Sequence, residues 1–313
     1  MLGLGIVRRA RSIRDKVIPL PTIARNPANP IAWVAEANRH LGTLSQRAQA
    51  RIRNHDLTPT SPSLQASRRE ILLRAGPRLI ELSRQPLTPQ TIELAIDEVI
   101  RWMTIAHCAR APQDGGYFDE AEAAMQEQWS NIIWPIIEGE DFTHVLDLAC
   151  GHGRNTEMLR HLAKTIDLVD VNDICFQICR KRFGDQMADC RFRYHLTDGN
   201  GLPGIADNSI SLVYSWDSMV HFDKLVMRSY VTEIARVLQR GGSAFLHTSN
   251  YGALAPDSDW TKNHGNRSDM TADLLRQFSE SAGLMVKFQR LSGKDDGRSI
   301  DDLDCLTLLS KAS

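Results

Sequence analysis

Residues 144–170, HVLDLACGHGRNTEMLRHLAKTIDLVD, constrain this chain more than any other stretch. They open on a short apolar run, Val145-Leu146-Asp147-Leu148, of a length that suits a buried parallel strand. The run breaks into Ala149-Cys150-Gly151-His152-Gly153, after which helical spacing carries Met158, Leu159 and Leu162. A second apolar run, 166–169, ends in Asp170. Strand, glycine turn, helix, strand and acid make the first half of a nucleotide-binding βαβ unit. Two glycines after a strand let the backbone approach a ligand where a Cβ would collide. Asp170, 23 residues after Asp147, is placed to accept both hydroxyls of a ribose. The dinucleotide fingerprint needs a third glycine at position 156, where this chain has Thr156. That favours a ligand that lays no pyrophosphate on the helix.

From residue 142 onward strands and helices alternate. Helices are expected over 174–183, 224–238 (stopped at Gly241-Gly242) and 270–282 (stopped at Gly283). Strands are expected over 190–195, 210–215, 243–247, 284–291 and 303–309. Such alternation demands a parallel sheet covered on both faces. The last two strands, joined without a helix, should form an antiparallel hairpin. Upstream, a helix over 120–137 carries Met125, Trp129, Ile132 and Ile133 on one side. Further helices are expected over 31–52, 68–84 and 89–108, the last behind a Thr88 cap with Pro89 near its start. Breaks lie at 19–30, which holds four prolines, at the Pro/Ser/Thr stretch 56–67, and at 112–116. The chain thus reads as a helical N-terminal accessory or lid region, 1–115, followed by a ligand-binding domain, 116–313.

Composition describes an ordinary soluble globular protein, with 42% hydrophobic and 24% charged residues. The formal charge of −1 conceals an asymmetry: 13 Lys/Arg against 4 Asp/Glu in residues 1–75, and 24 against 34 in the rest. The basic part is suited to an anionic partner or to the acidic remainder. Residues 1–18 could form a basic amphipathic helix at a membrane surface, although a solvated or self-packed helix is the simpler reading. No run is long enough to span a membrane, and the arginines follow the first apolar residues instead of preceding them, unlike a secretory signal. Of six cysteines, Cys175 and Cys179 are spaced CxxxC within a helix with no second pair for zinc. Reduced thiols in a cytoplasmic protein follow.

The stretch Asp147-Leu148-Ala149-Cys150-Gly151-His152-Gly153 resembles motif I of the class I S-adenosylmethionine (SAM)-dependent methyltransferases, and Asp170 resembles the acid that holds the SAM ribose in that family. The resemblance covers roughly residues 120–313. It implies a seven-stranded Rossmann-like sheet ending in an antiparallel hairpin, with the 120–137 helix lying over the cofactor. It also implies SAM as cofactor. Asp147, Ala149, Gly151 and Gly153 would lie at its methionyl part, Asp170, Val171 and Asn172 at the ribose and adenosine, Asp198 and Gly199 at the adenine, and Ser215 and Trp216 at the end of the fourth strand. The stretches SWDSMVHF, HTSNYG and DCLTLL resemble a bacterial subgroup associated with glycan modification.

Candidate acceptor contacts are Asp217, His221, Asn250, His264 and Arg267. A hydroxyl acceptor must lose a proton, so a base is needed, and His221 and His247 follow the fourth and fifth strands. Arg267 has a planar fork that could pair an acceptor carboxylate or phosphate, while a loop held by Asn and Asp caps is the plainer alternative. The acidic residues at 295–304 read as an exposed loop, with no metal site expected. The expected function is methyl transfer to a hydroxyl of a polar small molecule or glycan. N- or S-methylation of an amino-acid-like acceptor and a non-catalytic SAM-binding scaffold are the alternatives. An Asn-Pro-Pro-Tyr-like motif is absent after the fourth strand, where Ser215-Trp216-Asp217-Ser218 stands, which disfavours nucleic acid as acceptor. Oligomeric state and acceptor are not legible in the sequence.

Overall fold

The computed structural model describes residues 30–46, 48, 49, 52, 57, 75–86, 88–108, 116–256 and 267–313. Segment 1–18, nearly all of 19–30 and 56–67, most of the break at 112–116, and His264 lie outside the described residues. The chain divides into two compact units, residues 1–106 and 107–313.

In the first unit, α1 (Pro30–Arg39), α2 (Gly76–Ser83) and α3 (Pro89–Cys108) surround a core that includes Val34, Leu79, Leu82, Ile92, Ile96 and Val99. The Thr88 hydroxyl accepts the Thr91 N–H at 3.2 Å, the cap expected there. The expected helix over 31–52 is broken after Arg39 by a 3-10 turn, Leu41–Thr43, and Leu44 is already extended.

The second unit begins with α4 (Gly116–Gln128), a π-helical turn at Trp129–Ile133 and α5 (Trp134–Ile137). The alternating part follows as β1 (His144–Leu148), α6 (Arg154–Leu159), β2 (Thr165–Asp170), α7 (Asp173–Phe183), β3 (Gln186–Met187), β4 (Cys190–Leu196) and β5 (Ile210–Ser215). It continues through α8 (Lys224–Val237), β6 (Leu238–Ser249), α9 (Tyr251–Leu254), α10 (Ala272–Ser281), β7 (Leu284–Ser292) and β8 (Asp304–Lys311). The sheet order is β3-β4-β2-β1-β5-β6-β8-β7. Strands β4, β2, β1, β5 and β6 are mutually parallel, β8 runs antiparallel to β6, and β7 and β8 pair antiparallel as expected.

Among the described residues there are eight strands where seven were expected. The extra one, β3, is two residues long and folds back on β4, too short to leave a periodic signal. The helix α8 stops at Val237, not at the glycine pair. Leu238 turns extended to pair with Ile210, so the pair lies inside β6, with Gly241 at φ 74°. A Cβ on Gly242 would come within 3.0 Å of the Ile210 carbonyl oxygen, so glycine there permits close strand approach.

The two sheet faces bury separate cores. One holds Trp129, Ile133, Leu168, Phe192, Tyr214 and Phe245, the other Leu146, Val213, Tyr230, Ile234 and Leu309. β1, β2 and β5 are buried on both sides, hence their continuous apolar sequences. Every parallel strand delivers its carboxyl end to one edge. Antiparallel β8 begins at that same edge, with Asp304 opposite Ser249.

Candidate active site

At the end of β1 the backbone turns sharply because Ala149 adopts a left-handed φ of 61°. The Ala149 and Cys150 N–H groups both donate to the Val169 carbonyl, at 2.8 and 3.1 Å. Asp170 ties this turn to β2: its carboxylate accepts the Gly151 N–H at 3.0 Å and the Asn172 N–H at 2.9 Å. Burial pushes the Asp170 carboxyl up, against these backbone bonds. The Val171 N–H bonds to it as well, and a carboxylate with three such bonds still keeps acceptor capacity.

Asp147 is buried beneath the turn. Its Oδ2 accepts the Thr156 hydroxyl at 2.6 Å, while Oδ1 has no partner. Burial raises its carboxyl to about 7, with the nearby Asp170 charge adding to the shift. Thr156, at the position where a third glycine was missing, thus holds the acid of β1.

The two glycines answer to the protein more than the sequence suggests. A Cβ on Gly153 (φ 81°) would fall 2.6 Å from the Phe183 ring and 3.1 Å from the Cys179 sulfur. Packing against α7 demands this glycine. A Cβ on Gly151 would meet Phe118 of α4 at 3.2 Å. Phe118 also stacks on His152, ring centroids 3.7 Å apart, so an aromatic pair sits beside the turn.

At the end of β4, Gly199 (φ 81°) is buried and its N–H reaches the Thr197 hydroxyl at 3.3 Å. Asp198 is exposed, and its Oδ1 accepts the Asn200 N–H at 3.0 Å. Val171 is half-buried and Asn172 buried at the start of α7.

The end of β5 differs from the expectation. The Ser215 hydroxyl donates to the Leu148 carbonyl at 2.9 Å and is wholly buried. The Trp216 indole is 1% exposed, donates to Gln128 at 3.0 Å and lies tilted against the His247 ring, centroids 4.4 Å apart. Both side chains therefore serve as core, leaving their backbone to face a ligand. Asp217 is the second strand-end residue in the left-handed region, φ 62°, a strain usually retained where function needs it.

Around Asp217 lies a buried charged cluster. Arg154 Nη2 donates to Asp217 at 3.0 Å. The Asp217 N–H donates to His247 Nδ1 at 3.1 Å, and His247 Nε2 lies 3.0 Å from Asp304 Oδ2. The first contact makes Nδ1 the acceptor, so the ring proton is on Nε2 and is shared with Asp304. Burial pushes His247 down, keeping it neutral. Arg267 grips Asp304 with two bonds of 2.7 Å. Burial would raise Asp304 and Asp217. The His247 Nε2–H and Arg267 hold the first, and Arg154 and Arg298 the second, well below the usual carboxylate range.

Several expectations are corrected by this geometry. Both His247 nitrogens are engaged and the side chain is fully buried, so it is not placed to accept a proton from an acceptor. Arg267 turns its fork inward to Asp304, not toward a ligand. Asn250 is likewise internal, donating to the Asp302 carbonyl at 2.9 Å and accepting the Ala272 N–H at 3.0 Å. Asp217 is engaged by Arg154 and His247. His221 is half-buried, in a 3-10 turn at Met219–His221 after β5, and His152, also half-buried, is stacked on Phe118 at the glycine turn. Arg154, Thr156, Phe118, Arg298 and Asp304 were missed. Only Asp304 had a signal, as one of the crowded acids, and strand pairing alone separates it from its neighbours. Among the described residues no His/Cys/Asp/Glu group could hold a metal, and the five described cysteines with described surroundings are free. No helix among the described residues is long and apolar enough to cross a membrane.

The residues present fit the implied cofactor: an orphaned buried carboxylate oxygen, a glycine turn and an acid with spare acceptor capacity lie at adjacent strand ends. Residues 145–242 match a family described as a methyltransferase domain. No curated protein sequence matches. Similar solved structures include an S-adenosylmethionine-dependent methyltransferase from Clostridium acetobutylicum, 15% identical, covering 63% of this chain and 99% of that one, TM-score 0.49. Another is the N-methyltransferase NodS from Bradyrhizobium japonicum in complex with S-adenosyl-L-homocysteine, 15% identical over 60% and 87% of the chains, TM-score 0.47. A third, an S-adenosylmethionine-dependent methyltransferase from Mesorhizobium loti, is 15% identical over 56% and 96%, TM-score 0.45. These distant likenesses add nothing beyond the fold. The family match, the strand order and motif I agree: residues 145–242 form a methyltransferase domain of the class I, SAM-dependent kind.

Proposed function

We propose that the protein transfers a methyl group from SAM to a polar small molecule or glycan, at a hydroxyl, using His221 as base. The observation that carries the cofactor part of this reading is Asp147 Oδ1, a buried oxygen without a partner beside the glycine turn. Such an atom is costly to bury unless a donor arrives, and the ammonium of a methionyl group is a donor of the right charge.

When bound, SAM supplies a methyl on a positively charged sulfur. Asp147 and the turn 149–153 hold its methionyl part, and Asp170, with Val171 and Asn172, accepts from the ribose hydroxyls. Gly199, with its φ of 81°, and Asp198 border the adenine. The buried ends of β1 and β5 keep water out, which favours loss of the sulfonium charge. Positioning supplies the remainder, since displacement needs donor and acceptor in line. His221 takes the proton of the acceptor hydroxyl. The accessory region, residues 1–115, is the part we assign to acceptor choice.

The test has two arms. Asp170→Ala should weaken SAM binding by roughly 1–3 kcal/mol. Unchanged calorimetric affinity in a folded variant would sink the cofactor assignment. Labelled SAM with a panel of hydroxyl, amine and thioether acceptors should label the hydroxyl class. Labelling of amines or thioethers alone would replace the hydroxyl reading. Absence of any turnover with cell extract would favour the scaffold reading.

A further inference from the structure

The parallel ladder between β5 and β6 ends where Ser215 pairs with Leu246. Beyond it a side chain takes over as acceptor: the Asp217 N–H donates to His247 Nδ1 at 3.1 Å. This donation settles the ring. An amide N–H cannot accept, so Nδ1 carries the lone pair and Nε2 the proton. Asp304 accepts from Nε2 at 3.0 Å, and Arg267 in turn holds Asp304 with two bonds of 2.7 Å. Arg298 is ion-paired with both Asp217 and Asp304. His247 and Asp304 are fully buried, so the ring is shielded from water.

The consequence reaches the other side of β5. The sheet order β1-β5-β6 puts His247 on one flank of β5 and the glycine turn on the other. The peptide bonds are trans, so an N–H aimed at β6 aims the carbonyl of the same unit, that of Trp216, toward β1. The Ser218 hydroxyl marks the direction: it reaches the Ala149 carbonyl at 3.2 Å and the Trp216 carbonyl at 3.4 Å. Asp217 follows this peptide with a left-handed φ of 62°. A non-glycine residue keeps such a conformation only where its surroundings over-determine it. His247 is the group that grips its N–H.

We infer that His247 is a positioning residue for the cofactor: it turns the Trp216 carbonyl oxygen toward the glycine turn, as an acceptor for the cationic methionyl end of SAM. The inference rests on the methyltransferase reading above. An ammonium has three donors, and Asp147 Oδ1 is assigned one of them. A carbonyl fixed in advance needs no rearrangement when the ligand arrives, the general advantage of preorganised dipoles. His247 itself touches no ligand. That role accounts for an imidazole buried at the carboxyl edge with both nitrogens engaged.

His247→Leu and His247→Gln separate this role from core filling. Leucine is of similar size and accepts nothing. Glutamine carries an acceptor and a donor on one flat amide, able to serve Asp217 and Asp304 as the ring does. In calorimetry the Leu variant should bind SAM more weakly by roughly tenfold or more, the scale of a hydrogen bond to a charged group. The Gln variant should recover most of that affinity. Equal SAM affinity in wild type and a folded Leu variant would overturn the assignment, as would a Gln variant no better than Leu. Nitrogen NMR of histidine-labelled wild-type protein provides the reading if the Leu variant does not fold. It should find His247 Nδ1 unprotonated and hydrogen-bonded to the Asp217 amide, with both signals moving when SAM is added. A protonated Nδ1, or signals unmoved by bound SAM, would also overturn the assignment. A wild type that binds no SAM would remove the cofactor reading and this one with it, a result distinguishable because it appears before any substitution.

Discussion

Asp147→Asn separates what the buried acid does for the ligand from what it does to the fold. Burial raises this carboxyl from the usual 3.8 to about 7. Between those values the folded chain holds a proton that the unfolded chain has released, so stability falls as pH rises through the window. Three pH units at 1.36 kcal/mol each put the limit at about 4 kcal/mol by pH 7 and above. Asparagine keeps an oxygen for the Thr156 hydroxyl but places an amide donor where Oδ1 had no partner, returning about 1–3 kcal/mol. The variant should therefore gain about 1–3 kcal/mol over wild type at pH 8, with the gain shrinking toward pH 4. SAM binding should move the other way. An ionised Asp147 is needed to accept from an ammonium, so wild-type affinity should rise by up to tenfold per pH unit from about 5.5 to about 7. In the variant the slope should vanish and affinity drop by ~10-fold to ~100-fold. Urea unfolding and titration calorimetry across pH 5.5–8 measure the two effects. A flat wild-type affinity, together with equal binding by the variant, would refute the assignment of Asp147 to the methionyl group.

Other outcomes follow from the same geometry. Gly153→Ala should cost about 3 kcal/mol in urea unfolding, combining left-handed backbone strain with a Cβ driven against Phe183. His221→Ala should cut turnover of a hydroxyl acceptor by roughly 10²–10⁴-fold with SAM affinity intact; near wild-type turnover with a flat pH profile would remove histidine as base. Asp167 is held at about 2, where bonds from His144 and His195 outweigh burial. Because the native value is depressed, its stabilisation of about 2 kcal/mol is present above pH 4 and lost as pH falls from about 4 toward 2. Asp167→Asn should flatten that acid limb in urea titrations.

Local chemistry made much of the domain legible. The run 145–148, the turn 149–153 and the acid at 170 lie within one βαβ unit, where spacing along the chain translates directly into position. The terminal hairpin was readable for the same reason, since two strand-like runs joined by a loop have few alternatives. The backbone bonds from Gly151 and Asn172 to Asp170 then draw these residues together.

What the sequence could not determine depends on contacts between distant segments. Nothing local tells that Gly153 yields to Phe183, that Thr156 holds Asp147, or that Trp216 is core and not ligand surface. His247 read as a base because its partner Asp304 lies 57 residues away and is delivered only by antiparallel pairing of β8 with β6. The same pairing turned Arg267 inward and brought Arg298 to Asp304. Strand periodicity is a property of neighbours in the chain, and sequence alone determined it. Which charges neutralise one another is a property of neighbours in space, and only the tertiary structure decided that.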